Sequence, residues 1–255
     1  MVPESETGTT IKALERGFEI LDVLQDTGAL TLTEVAEQLD LPTSTAHVYL
    51  KTLEKEGFVV CEEYQYRNGL KFLEYGGNVR QRYELYDAAR QVMTELAIQT
   101  DERVGLGVEE NGKRVLIDIE DGTKAISDNV PVGEFTEMHW TGLGKCLLAH
   151  LPPDRRETIV AESALPRATE NTITDPAQLH DELTTIRERG YAIEDEERRD
   201  GIRGVDVPIL TPENQIIGAI GLTAPVSRLD ARQLSEYATL LQNKANVIKL
   251  KTVYY

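Results

Sequence analysis

The sequence predicts an α+β chain in two parts: a small N-terminal set of helices closed by a hairpin, and a larger antiparallel sheet with helices segregated between its strands. Three observations carry this. Apolar residues recur at helical spacing in three short runs before residue 57. The texture changes after residue 100, where β-like runs flank turn signals such as Asn111-Gly112. Five or six such runs fall into hairpins, with helix patterns set between them. At 255 residues and 40% hydrophobic, the chain can bury a core in each part.

Residues 11–26, IKALERGFEILDVLQD, place Ile11, Leu14, Phe18, Leu21, Val23 and Leu24 near helical spacing, and Gly28 stops the pattern. In TLTEVAEQLDLP, Thr31 or Thr33 caps a second helix that buries Leu32, Val35, Ala36 and Leu39, and Leu41-Pro42 ends it. Thr43 caps a third helix, TSTAHVYLKTLEKEG, closed by Gly57. A supporting helix followed by two helices on a tight turn is a helix-turn-helix, here over about 32–51. Phe58–Val60 can pair with Tyr66 and Leu70–Phe72 around polar turns, forming a wing. The first domain is therefore a winged helix-turn-helix over residues 10–72.

Residues 73–255 make the second domain, opening with a linker and a long helix to residue 100, with a break at Gly76-Gly77. RVGLGVEE and KRVLIDIE flank Asn111-Gly112 as a hairpin, and a third short strand is expected near 124–129. Helices follow at about 141–150, 154–162 and 175–189. Strands near 191–194 and 203–210 bracket the run EDEERRD, and the second joins QIIGAIGLTA through Thr211-Pro212-Glu213-Asn214. A last helix runs from about 229 to 250.

The net charge is −17, spread over both parts: residues 1–80 hold seven basic and fourteen acidic side chains, the remainder twenty and thirty. Such a surface suits a cell with molar internal salt, where the Debye length falls to about 3 Å. No apolar run reaches the roughly 18 residues of a membrane span, and MVPESETGTT lacks an apolar signal core, so the expected location is the cytoplasm, with no membrane partner. Cys61 and Cys146 fit no zinc spacing and read as two unpaired, mostly buried thiols. The four histidines, His47, His139, His150 and His180, show no metal spacing, so no metal and no cofactor is expected.

In the third helix, Ala46, Tyr49, Leu50 and Leu53 form an inward stripe. The other face carries Thr43, Ser44, Thr45, His47, Val48, Lys51, Thr52 and Lys55, and residues 43–53 contain no acid. A phosphate-facing surface requires that, and hydroxyl, imidazole and ammonium groups can bond phosphates and base edges in a major groove. The alternative is an amphipathic core helix with a solvated outer face; the turn and the wing favour double-stranded DNA as the partner. Thr33 joins these as a DNA-binding candidate on the preceding helix.

TLTEVAEQLDLPTSTAHVYLKTLEKEGFV resembles the DNA-binding segment of IclR-type transcriptional regulators. Two more segments are similar to that family: HWTGLGKCLLAH at 139–150, and RGYAIEDEERRDGIRGVDVPIL at 189–210. The resemblance covers about residues 10–255, in the family's order. It implies a linker helix, a GAF-like effector domain, a homodimer or homotetramer, and control of a nearby catabolic operon from an operator or promoter, as repressor or activator. It places Gly142, Leu143, Glu194, Gly204, Asp206, Gly221 and Thr223 at the effector pocket. Gly204 stands where the family often has Cys, Asp206 where it often has a small apolar residue, and Val48 where a basic residue is common. Salt-loving archaeal members include activators of pentose catabolism.

The N-terminus of the helix at 141–150 offers free N–H groups to an anion or oxygen-rich ligand, and Lys145 either meets that ligand or supports the fold. Glu194 would repel a ligand carboxylate but accepts hydrogen bonds from a polyol, which favours a sugar, a sugar acid or a related metabolite. His139 is placed to line the pocket, and no nucleophile motif accompanies it. GLGK is too short for a phosphate-binding loop and is followed by Cys146 rather than Ser or Thr, so no catalytic residue is expected and the chain does not read as an enzyme. The acidic charge keeps one alternative open: a ligand-sensing adaptor that has lost DNA binding.

Overall fold

A computed structural model describes residues 10–126 and 130–254. The chain divides into two compact units between Val79 and Arg80. Among the described residues, no helix is long and apolar enough to cross a membrane.

The first unit contains α1 (Lys12–Thr27), β1 (Leu30–Thr31), α2 (Leu32–Gln38), α3 (Thr43–Lys55), β2 (Val59–Glu62) and β3 (Gln65–Asn68), followed by α4 (Lys71–Arg80), which runs across the division. Thr31 and Glu34 form a capping box: the Thr31 hydroxyl accepts from the Glu34 N–H, and the Glu34 carboxylate accepts from the Thr31 N–H. The N-cap of α3 is Pro42, not Thr43; proline holds the extended backbone that precedes the helix, and Thr43 becomes its first residue without a side-chain cap. Ile20, Leu21, Leu24, Leu30, Val35, Leu50, Val59 and Tyr66 make the core. Ile11, Leu14 and Phe18, expected inside, stay 69%, 57% and 56% exposed, because only the later turns of α1 face α2, α3 and the sheet.

The wing is tighter than expected. β2 and β3 pair antiparallel around Glu63-Tyr64, two residues with left-handed φ of 50° and 65°, and β1 pairs on the other side of β3 to give the order β1-β3-β2. Leu70–Phe72 take no part in it. Gly69 abuts the backbone of Gly57 and Phe58, its N–H bonds the Phe58 carbonyl, and the chain turns directly into α4. Gly76-Gly77, expected as the break between the domains, falls within three residues of the division between the two units, but the backbone there stays helical, since both glycines lie inside α4, where a glycine costs only about 1 kcal/mol.

The second unit comprises α5 (Glu84–Thr100), β4 (Arg103–Glu110), β5 (Lys113–Asp121), β6 (Phe135–Glu137), α6 (Gly142–His150), α7 (Pro153–Glu162), α8 (Pro176–Arg189), β7 (Ala192–Asp195), β8 (Ile202–Leu210), β9 (Ile216–Pro225) and α9 (Ala231–Tyr254). One antiparallel sheet runs β6-β5-β4-β9-β8-β7. Asn111 and Gly112 take left-handed φ of 52° and 78° at the β4–β5 turn, as the Asn-Gly pair requires. The strand expected near 124–129 is β6 instead. Gly122 packs onto the Asp101 backbone, the Lys124 N–H bonds the Asp101 carbonyl, and the chain leaves the sheet there; residues 127–129 lie outside those described.

Helices α5 and α9 cover one face of this sheet through Leu96, Val104, Leu106, Val205, Val207, Ile220, Leu222 and Leu241. Helices α6 and α8 cover the other through Leu143, Leu147, Leu179, Leu183, Ala192 and Ala219. Strict alternation on β8 and β9 therefore turns Gly204, Asp206, Gly221 and Thr223 toward α6, opposite the face of Val205 and Leu222.

Candidate functional site

On α3, Ala46 and Leu50 are buried while Tyr49 and Leu53 are half-buried against the core. Thr43, Ser44, His47, Val48, Lys51, Thr52 and Lys55 are exposed, Val48 at 64%; Thr45 is half-buried, and Thr33 is exposed on α2. The helix thus presents seven of the expected residues on its outer side. Two of them are engaged within the chain. Lys51 Nζ lies 2.8 Å from Glu54 Oε2, and the Thr52 hydroxyl donates to the Val48 carbonyl at 2.8 Å, leaving its lone pairs to accept. The acid-free stretch is therefore bounded by an acid that reaches back into it. Beyond it, the wing exposes Tyr64 at its tip, 88% accessible, beside an Arg67–Glu62 pair at 2.8 Å.

The second candidate site is a cavity of about 60 Å³ between the sheet and α6, opening past the exposed Arg199. The register pairs Asp206 with Gly221, Gly204 with Thr223, Glu194 with Gly204, and Gly105 with Gly221, so residues far apart in sequence meet on one face. Leu143, Glu194, Asp206 and Thr223 line the cavity. Gly142, Gly204 and Gly221 stand behind that wall: a Cβ on them would lie 1.9, 3.3 and 1.8 Å from the Asp206 carboxyl oxygens. These glycines make room for Asp206 first.

The sequence did not point to the arginines here. Arg103, Arg114, Arg198 and Arg199 all line the cavity. Arg114 is only 2% exposed; its Nη2 donates to Glu134 at 3.0 Å, and Nε and Nη1 are buried without a partner. Arg198 donates to the other Glu134 oxygen at 2.6 Å. Two half-anchored guanidinium groups so face two carboxyl groups. Burial pushes the Glu194 carboxyl up to about 7 against the pull of Arg198 and Lys145. Burial and the neighbouring Glu194 push Asp206 well above the usual carboxylate range. Strand alternation held the signal for Arg114, since it shares a face with Leu116 two residues on.

Lys145 supports the fold. Its ammonium, 1% exposed, meets Glu197 Oε1 at 2.5 Å and the Ile193 carbonyl at 2.7 Å. His139 does not line the cavity either; its Nε2 lies 2.9 Å from the Pro166 carbonyl, which also accepts from Trp140. Cys146 is fully buried with its thiol on the Asp206 main-chain carbonyl, and Cys61 is half-buried and free. Among the described residues, no cluster of histidine, cysteine and acid could hold a metal ion.

Comparison with known proteins bears on both sites. The model of the IclR helix-turn-helix domain matches residues 13–62, and that of the bacterial transcriptional regulator IclR C-terminal domain matches residues 77–250. The probable HTH-type transcriptional regulator ArcR of Halobacterium salinarum is 31% identical over 246 residues, covering 94% of each chain. The HTH-type transcriptional regulator BhcR of Paracoccus denitrificans is 34% identical over 234 residues, covering 91% of this chain and 84% of that one. The crystal structure of Thermotoga maritima IclR superposes with a TM-score of 0.80 at 31% identity, over 96% of this chain and 100% of that one. With both halves matched in order and the winged unit and antiparallel sheet in place, the chain belongs to the IclR family of transcriptional regulators.

Proposed function

We propose that this regulator reads a promoter or operator duplex with the outer face of α3 and senses a small hydroxylated acid, a sugar acid or a close relative, in the cavity beside α6. In this reading residues 10–72 bind DNA and residues 73–255 form the linker and sensor. The observation that carries it is the cavity's donor and acceptor set. Buried Arg114 keeps N–H groups on Nε and Nη1 without a partner, each able to donate to a ligand oxygen, while Glu194 and Asp206 supply acceptors for hydroxyl groups. For DNA, Ser44, Thr45, His47, Val48, Lys51, Thr52 and Lys55 supply contacts to phosphates and base edges, with Thr33 and Thr43 at the helix starts.

An exposed apolar stripe on α1, Ile11, Leu14 and Phe18, supports a homodimer, the unit from which a homotetramer would form. The charge of −17 supports a cytoplasm of high salt, and a sugar-acid ligand supports an activator of pentose catabolism. No catalytic role is assigned to any residue. The test is a gel shift of the full chain on the DNA upstream of its own gene in molar KCl, titrated with pentoses, aldonates and keto acids. A shift that one hydroxylated acid modulates supports the reading. Ligand binding without any shift would favour an adaptor instead.

A further inference from the structure

The Asp206 carboxyl group sits in a seat built by three elements. It projects from β8 against Gly221 of β9, its register partner, against Gly142 at the start of α6, and beside Gly204 on its own strand. A methyl group at Gly142 or Gly221 would fall within 1.9 Å of its oxygens, so the seat exists only because no side chain stands at either position. The seat adjoins the first turn of α6. There the Thr141 hydroxyl takes the Gly144 N–H and the Thr141 carbonyl takes the Lys145 N–H, which leaves the N–H groups of Gly142 and Leu143 over. On another wall of the cavity lies Arg114, with its unpartnered buried Nε and Nη1.

We propose that Asp206 sets the class of ligand by filling this seat: its carboxyl group stands where the carboxylate of a small acid would otherwise meet the first turn of α6. The cavity therefore discriminates against two- and three-carbon monocarboxylates, which would need that same seat for their carboxylate. It takes a longer acid that places a hydroxyl group on Asp206 and its carboxylate on Arg114, with the rest of the chain extending past Arg199. The inference rests on the cavity being the effector site. The effect is one of volume, so it holds for the carboxyl in either protonation state.

The test is titration of the full-length protein with pyruvate and with xylonate, followed by calorimetry and by fluorescence of Trp140, the chain's single tryptophan, one residue ahead of the α6 cap. Asp206→Ala vacates the seat and should tighten pyruvate binding at least tenfold while weakening xylonate by a similar factor. Asp206→Asn keeps the volume and should leave pyruvate as weak as in the parent. If Asp206→Ala does not fold, Asp206→Ser vacates most of the same space. The role of Asp206 is overturned if Asp206→Ala leaves the ratio of the two affinities within twofold of the parent, or if Asp206→Asn gains as much pyruvate binding as Asp206→Ala. Arg114→Ala separates this from the underlying reading. If it leaves binding of both acids intact, the cavity is not the effector site; if it abolishes binding while Asp206→Ala leaves the ratio unmoved, the cavity stands and only the seat fails.

Discussion

Replacing Lys145 with methionine keeps a side chain of similar length in its slot but removes the ammonium that joins α6 to the β7 region. Glu197 Oε1 then loses its 2.5 Å partner, while Glu197 Oε2 is already buried without one, and the Ile193 carbonyl loses a donor. Burial already holds the Glu197 carboxyl above its usual range, and Lys145 is what pulls it back. Removing one member of a buried ion pair costs about 3–5 kcal/mol, mostly for the charge left behind. In a unit of this size each kcal/mol moves the midpoint about 2–4 °C, so Lys145→Met should lower it by roughly 6–20 °C. The companion variant Lys145→Met/Glu197→Leu removes the stranded charge and should recover to within about 2 kcal/mol of the parent. Thermal and urea unfolding at fixed KCl, read by Trp140 emission and far-ultraviolet circular dichroism, measures both. A loss below about 1 kcal/mol in the single variant, or a double variant no better than the single, would refute the structural role given to Lys145.

Glu194→Gln tests the buried carboxyl through pH. The native carboxyl holds its proton up to about 7 and the unfolded one only to about 4.5. Stability is therefore intact below pH 4.5 and falls as the pH climbs toward 7, by about 3 kcal/mol. The variant's advantage over the parent should grow across that window, and an advantage flat with pH would count against the assignment. Leu14→Lys with Phe18→Glu on the exposed face of α1 should yield a monomer by sedimentation and weaken operator binding at least tenfold; an unchanged oligomer sinks the dimer reading. Lys55→Ala, if Lys55 meets a phosphate, should reduce the slope of log affinity against log salt by about 0.9 without altering sequence preference.

The architecture was legible where local chemistry agreed with the fold. Asn111-Gly112 announces its hairpin, Thr31, one of two cap candidates, starts α2, and alternation in GVDVPIL sorts Val205 and Val207 from Gly204 and Asp206. It failed where a distant contact decides. The apolar stripe of α1 reads as core throughout, yet Ile11, Leu14 and Phe18 have no core in their own unit to enter. Leu70–Phe72 look like strand, but Gly69 against the Phe58 carbonyl turns the chain into a helix. β6 could not be placed, because the Gly122–Asp101 contact that redirects the chain joins residues 21 positions apart.

The cavity was half legible. Leu143, Glu194, Asp206 and Thr223 were named from a resemblance and do line one cavity. Arg114 and Arg198 were passed over. Arg198 is hidden in the charged run EDEERRD, and Arg114 looks like an ordinary basic residue after a turn until the fold brings its guanidinium to Glu134, the residue before β6. The glycines were expected to serve the ligand, and their first service is to Asp206.

The central claim is that an acid-poor outer face of α3, in a chain of net charge −17, reads DNA. Fluorescence anisotropy of the full-length protein on the duplex upstream of its own gene, against a scrambled duplex of equal length, in 1 M KCl, tests it most directly. The account predicts that the parent prefers its own duplex and that His47→Ala with Ser44→Ala and Lys51→Ala removes that preference while leaving the fold and ligand binding intact. A preference that survives all three substitutions would contradict it.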